Sequence, residues 1–162
     1  MELELKHLAP YLPYSLKVID DAHFEPTTLF GLDKNSVFTL TNVIWTFFYK
    51  EIKPILHPLS DLTKEIEHNG EKLVPAIELA KLSVELGFYK DVSPSMGFDY
   101  SIVNKPFGKM LKISKNGQWV LIVSFNNVDR LKHSFYEKLL EWHFDVFNLI
   151  PNNLAIDINT LK

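Results

Sequence analysis

Lys64-Glu65-Ile66-Glu67-His68-Asn69-Gly70-Glu71-Lys72-Leu73-Val74 carries the clearest local signal in the chain. Asn-Gly between two short strand-like runs suits a two-residue type I′ turn, whose central residues both take positive φ. The implied register sets Ile66 opposite Leu73 and Glu67 opposite Lys72, an apolar pair and a charge pair across the strands. Pro75 then suits the first position of a helix. Ile77, Leu79, Ala80, Leu82, Val84 and Leu86 follow, and Gly87 is placed to stop that helix. A hairpin followed directly by a helix sets the reading for the whole chain, which is α+β.

Working outward, a second hairpin is expected at Lys109 to Phe125, turning at Asn116-Gly117. The run Trp119 to Val123 is too apolar to be exposed on both faces, which predicts a central strand. Asn126-Asn127-Val128-Asp129 looks like a capped helix start. Leu131, Phe135, Leu139, Trp142, Val146 and Ile150 continue it as an apolar stripe to about residue 148. Leu154 to Ile158 alternates as a last strand. Upstream, residues 2–9 suit one or two helical turns ending at Pro10. Ser15 to Asp20, Thr27 to Phe30 and Ser36 to Thr41 suit strands, with a turn over residues 31–35. Asn42 to Lys50 reads as a buried strand or a short helix, and Pro54 and Pro58 force an extended segment after it. The expected architecture is a mostly antiparallel sheet built of hairpins, packed by two helices at about 76–86 and 128–148. There are no repeats, low-complexity tracts or linkers, so residues 1–162 are expected to form a single globular domain.

The 162 residues are 46% hydrophobic and 23% charged, enough for a core without metal or disulfide. There is no cysteine, which excludes disulfides, thiolate metal sites and cysteine nucleophiles. The net charge of -3 fits neither a strongly basic nucleic-acid binder nor a strongly acidic DNA mimic. Arg130 is the only arginine, so dense base readout or an arginine phosphate clamp is not expected. The acidic start Met1-Glu2-Leu3-Glu4 lacks the basic region of a signal peptide, and no apolar stretch approaches a membrane span. A cytoplasmic protein is expected.

Few constellations could carry chemistry. His133, Glu137, Glu141 and Asp145 fall at successive i+4 positions, a spacing that could hold a divalent metal or support acid–base work. The same row suits a solvated helix face. His143, between Trp142 and Phe144, suits a partly buried histidine making one hydrogen bond; His57 lies in a proline-fixed segment without an identifiable partner. Lys105, Lys109, Lys112 and Lys115 form an acid-free basic stretch with Phe107 and Trp119 nearby. Lysines and aromatics on a sheet can hold single-stranded nucleic acid. Strand alternation sets Lys112 apart from Lys109 and Lys115, and an edge strand guarded by lysines explains the stretch equally. No phosphate loop, dinucleotide fingerprint, zinc pattern or nucleophile elbow is present. No catalytic residue, metal or cofactor is expected.

Three blocks of sequence carry a resemblance. They are His7-Leu8-Ala9-Pro10-Tyr11-Leu12-Pro13-Tyr14; Ile52-Lys53-Pro54-Ile55-Leu56-His57-Pro58 running on to Ile66; and Glu141-Trp142-His143-Phe144-Asp145-Val146-Phe147 with Leu154-Ala155-Ile156-Asp157-Ile158-Asn159. In wording and order they resemble a large group of small proteins from phages and prophages of Bacteroidetes, especially flavobacteria. The resemblance covers under half the chain, and no catalytic residue comes with it. It implies a non-enzymatic accessory protein that binds a host macromolecule in the bacterial cytosol. The concrete form is an inhibitor of a defence system, of anti-CRISPR type, docking on an RNA-targeting CRISPR effector ribonucleoprotein or its guide RNA. The docking surface would then be Lys105, Phe107, Lys109, Lys112, Lys115 and Trp119. The alternatives are a phage module that binds RNA or DNA directly, and a metal-dependent enzyme using the His133, Glu141 and Asp145 face.

Overall fold

Asn69 and Gly70 take φ of 53° and 80°, the two positive values a type I′ turn requires. The hairpin forms in the expected register, Ile66 with Leu73 and Glu67 with Lys72. The charge contact moves one step along the face, because the Lys72 ammonium pairs with Glu65 at 3.2 Å. Both side chains are exposed, so the diagonal choice costs little.

The computed structural model describes residues 2–20, 25–40, 44–85, 99–105, 108–115, 118–124 and 133–161. In chain order the elements are α1 (Leu5–Leu8), β1 (Lys17–Asp20), β2 (Thr27–Leu32), β3 (Ser36–Leu40), β4 (Ile44–Phe48) and β5 (Ile52–Leu56). Then come β6 (Ile66–His68), β7 (Glu71–Leu73), α2 (Pro75–Glu85), β8 (Asp99–Lys105), β9 (Gly108–Lys115), β10 (Gln118–Ser124), α3 (His133–Glu141) and β11 (Ile156–Asp157). Single 3-10 turns cover Ala9–Tyr14, Tyr49–Glu51, Leu59–Thr63 and Ile158–Thr160. The class is α+β, as expected. No helix among the described residues is long and apolar enough to cross a membrane.

The chain divides into two compact units, residues 1–58 with 139–162, and residues 59–138. The first holds a six-stranded sheet in the order β11-β5-β1-β2-β3-β4. Every pairing in it is antiparallel except β11 on β5. Pro54 lies inside β5 opposite Val18, and β11 begins its pairing one residue later, at Ile55. The missing proline N–H is thereby kept off that ladder. Leu8, Tyr11, Leu16, Val18, Leu56, Phe144 and Leu149 are fully buried in this unit.

Three chain segments lock together there. The Tyr11 hydroxyl donates to the Phe144 carbonyl at 2.6 Å, and the His143 Nε2–H donates to the Tyr14 carbonyl at 2.8 Å. The His57 N–H donates to the His143 carbonyl at 2.8 Å, and the Asp145 N–H returns to the His57 carbonyl at 2.9 Å. His57 and Phe144 thus form a parallel bridge, with their rings 5.4 Å apart. His7 and Tyr11 both meet the Phe147 ring edge-on.

The second unit holds the β6–β7 hairpin, α2, and a three-stranded antiparallel sheet ordered β10-β9-β8. Pro75 opens α2 as expected, and Ala76 and Leu79 are fully buried. Asp61, in the 3-10 turn before the hairpin, is buried and accepts from the Lys64 ammonium.

The helix expected over 128–148 is shorter. Residues 125–132 lie outside the described residues, and α3 ends at Glu141. His143 takes φ of 56°, its N–H reaches Leu140 O at 3.0 Å, and the Phe144 N–H reaches Leu139 O at 2.8 Å. This is a Schellman ending with histidine, not glycine, in the left-handed position. Asp145 then accepts from the N–H groups of Leu149 and Ile150 at 2.7 and 2.8 Å, which builds a separate turn. Phe135, Leu139, Trp142 and Val146 of the expected stripe are still buried.

Candidate functional site

β4 was expected as a buried strand or a short helix. It is a strand, because Ile44-Trp45-Thr46-Phe47-Phe48 is entirely β-branched and aromatic. It is not buried. Among the described residues it is the last strand of its sheet, paired only to β3. Val37 and Thr39 on β3 are fully buried and sit opposite Phe47 and Trp45, so that parity marks the core side. The other parity sets Phe38 opposite Thr46, Leu40 opposite Ile44 and Ser36 opposite Phe48 on the outer face. There Phe30 is 53% exposed, Leu40 39%, Ile44 56% and Phe48 57%; Trp45, on the core-side parity, is itself 43% exposed. Phe30 is the extra residue of a β-bulge, and Phe38 lies across Gly31, whose Cβ would sit 3.6 Å from its ring. An exposed apolar face of this kind is the candidate interaction surface.

The chain beyond β4 is fixed in place. The Phe48 N–H donates to Glu51 Oε2 at 2.8 Å, and the Tyr49 hydroxyl donates to the Asp33 carbonyl at 2.7 Å. Burial and nearby Asp33 push the Tyr49 phenol above its ordinary pKa, so it stays a donor. Asp33 Oδ1 accepts from the N–H groups of Asn35 and Ser36 at 2.7 and 3.0 Å, an Asx turn that presents Lys34.

Lys34, Lys50, Lys53, Lys6, Phe48 and Tyr49 contribute to the wall of an open basin of about 1080 Å³ at the Phe48 end of β4. Lys6 is held by Glu4 at 2.9 Å, which keeps the Glu4 carboxyl below its usual range. Lys53 Nζ donates to Asn153 Oδ1 at 3.0 Å, and Lys50 Nζ lies 6.0 Å from the Phe48 ring centre. Lys34, Lys50 and Lys53 form no ion pair with any described residue. With Glu4 taken up by Lys6, the basin sets three lysines without an ion pair among the described residues, and the carboxylate of Glu2, beside an exposed aromatic.

The lysines singled out from sequence lie in the other unit. Lys105 ends β8 opposite Gly108, Lys109 pairs with Asn104, and Lys112 pairs with Ser101 and Ile122. Lys115 pairs with Gln118, and Trp119 with Ser114 across an irregularity at Val120. Register places Lys105, Lys112 and Trp119 on one face and Lys109 and Lys115 on the other. Phe107 lies outside the described residues. β9, which carries three of the lysines, is the central strand, so the lysine-guarded edge is not what forms. β10, expected to be central, is an edge among the described residues. The reason is β8, a strand not anticipated, which takes the second side of β9.

The helical row does not persist. His133 and Glu137 form an exposed pair at 3.0 Å, but α3 stops at Glu141 and Asp145 is a buried turn cap. His143 is half-buried, and its ring donates to the Tyr14 carbonyl. No group of three metal-ligating side chains occurs among the described residues.

Sequence reasoning missed the β4 face and its basin. The available signal was an apolar run uninterrupted by charge, proline or glycine, followed at once by Lys50. In comparisons with known proteins, no family model, curated protein or solved structure matches this chain.

Proposed function

We propose that this protein is a non-enzymatic accessory protein of a phage or prophage that binds a host macromolecule and inhibits a bacterial defence system. The observation that carries the binding part is the exposed β4 face, with Ile44 and Phe48 more than half exposed beside a lysine-lined basin. Large apolar side chains held on a sheet lose little conformational freedom when a partner covers them, which suits them as anchors. The phage part rests on the resemblance of the three sequence blocks. The defence target is an RNA-targeting CRISPR effector, and no reaction step is involved.

A second reading is direct RNA or DNA binding. It is favoured by the register that sets Lys105, Lys112 and Trp119 on one face of the three-stranded sheet.

The test is to express the chain in a host that relies on an RNA-targeting CRISPR effector. Plaquing of a targeted phage should be restored, and the effector should co-purify with tagged protein after RNase treatment. Undiminished interference at high protein level would overturn the defence reading. Retention of RNA alone, lost steeply as salt rises, would install the second reading.

A further inference from the structure

We propose that the open edge of β4 takes up an extended acidic segment of a protein partner as an added strand, with Lys34, Lys50 and Lys53 receiving its carboxylates. This rests on the binding reading above and names the partner's chemistry.

The direction of the backbone groups follows from one hydrogen bond. The Phe48 N–H goes to Glu51 Oε2, not to Ser36 opposite it. Antiparallel ladders alternate, so residues of the same parity, Ile44 and Thr46, turn their N–H and C=O away from β3. These groups face the side that no strand among the described residues covers, on a strand whose residues 44–48 include no lysine, proline or glycine. Edges are normally guarded by such residues, and an unguarded one is a template for strand addition. Glu51 already places one carboxylate on this edge and marks where added pairing stops. Immediately beyond lies the basin with its three cations lacking ion-pair partners among the described residues.

Charge selects the occupant. A second copy pairing across Thr46 would lay Phe48 beside Ile44 and leave the lysines of both copies without counter-charge. A nucleic acid could answer the lysines but has no use for a row of N–H and C=O groups. An acidic polypeptide strand answers both features.

The experiment uses the full chain and a short fluorescein-labelled peptide alternating Glu with Val. Anisotropy should report binding, and amide exchange at Ile44 and Thr46 should slow on addition. The same peptide with Lys for Glu should bind at least about tenfold more weakly, the scale of three exposed charge pairs. Thr46→Pro should abolish binding while the melting temperature holds, since a proline is tolerated where its N–H would face outward. The double variant Lys34→Glu/Lys50→Glu tests the charges without touching the strand and should weaken binding by about tenfold. Full binding by folded Thr46→Pro, tighter binding of a uridine oligonucleotide that displaces the peptide, or a dimer lost in Thr46→Pro would each overturn the proposal. In the plaque assay, full activity of Thr46→Pro would refute strand addition alone. Failure of the unaltered protein there would refute the defence reading and leave the peptide result standing.

Discussion

Asp145→Asn should destabilise the protein severely, and the reason separates two readings of one carboxylate. In sequence Asp145 extends the row His133, Glu137, Glu141; in the fold it is 4% exposed and both its oxygens accept backbone N–H groups, from Leu149 at 2.7 Å and Ile150 at 2.8 Å. Hydrogen bonds to a charged acceptor contribute about 1.5–3 kcal/mol each. Asparagine keeps one acceptor oxygen, so one bond survives in weakened neutral form. Its NH2 group replaces the other oxygen and faces an N–H donor, which leaves that donor unsatisfied at a cost of about 1–3 kcal/mol. The net loss is about 2–4 kcal/mol, or roughly 5–15 °C in Tm for a chain of this length. His133→Ala is the control, because its pair with Glu137 is exposed and its loss should stay within about 0.5 kcal/mol. Calorimetry or urea unfolding reads both. An Asp145→Asn melting point within about 1 °C of the parent, or an equal loss for His133→Ala, would refute the capping assignment.

Two further outcomes follow from the same unit. Tyr11→Phe removes a buried donor while the Phe144 carbonyl keeps the Val146 N–H at 2.9 Å, so stability should fall by about 0.5–1.5 kcal/mol in urea unfolding, with the far-ultraviolet spectrum unchanged. His7 is buried and its Nδ1 accepts the Glu4 N–H at 3.0 Å, a bond only the neutral ring can make; burial, then nearby Lys6, holds its pKa below the ordinary value. The unfolded chain therefore takes up this proton first, and stability that is complete well above about pH 6.5 is lost as pH falls from there toward the folded-state value. His7→Gln keeps an acceptor at that helix position without titrating, so unfolding measured at pH 8 and at pH 5.5 should differ less than in the parent.

What could be read from sequence was whatever local geometry decides. Asn69-Gly70 demands positive φ from its own residues, and Pro75 sets its own φ, so the hairpin and the start of α2 stand where expected. The end of α3 was hidden because its left-handed residue is His143, held there by tertiary bonds to Tyr14 and His57 that no window of sequence contains. The β4 face was hidden for a related reason. An apolar run reads the same whether a neighbour covers it or not, and burial is decided by which strand comes last in the sheet. The places of β9 and β10 failed likewise, because a strand's rank depends on how many partners it acquires, and β8 was not seen.

The three resembling blocks acquire a physical meaning once the first unit is assembled. His7, Tyr11 and Tyr14 come from the first block, His57 from the second, and His143, Phe144, Asp145 and Phe147 from the third; together they make the hydrogen-bonded and aromatic knot that closes this unit. Each block supplies bonds that another block must answer, so these residues hold the first unit together. Specificity for a partner has to be sought where those blocks contribute least, and β4, with its turn at Asp33 and its lysines at 34 and 50, lies outside all three. The β8–β10 sheet lies outside them too, so the two candidate surfaces can be separated by substitution: Thr46→Pro disables the first and Lys112→Glu alters only the second. Under the proposed function, the surface whose loss ends inhibition while the knot stays intact is the one that meets the partner.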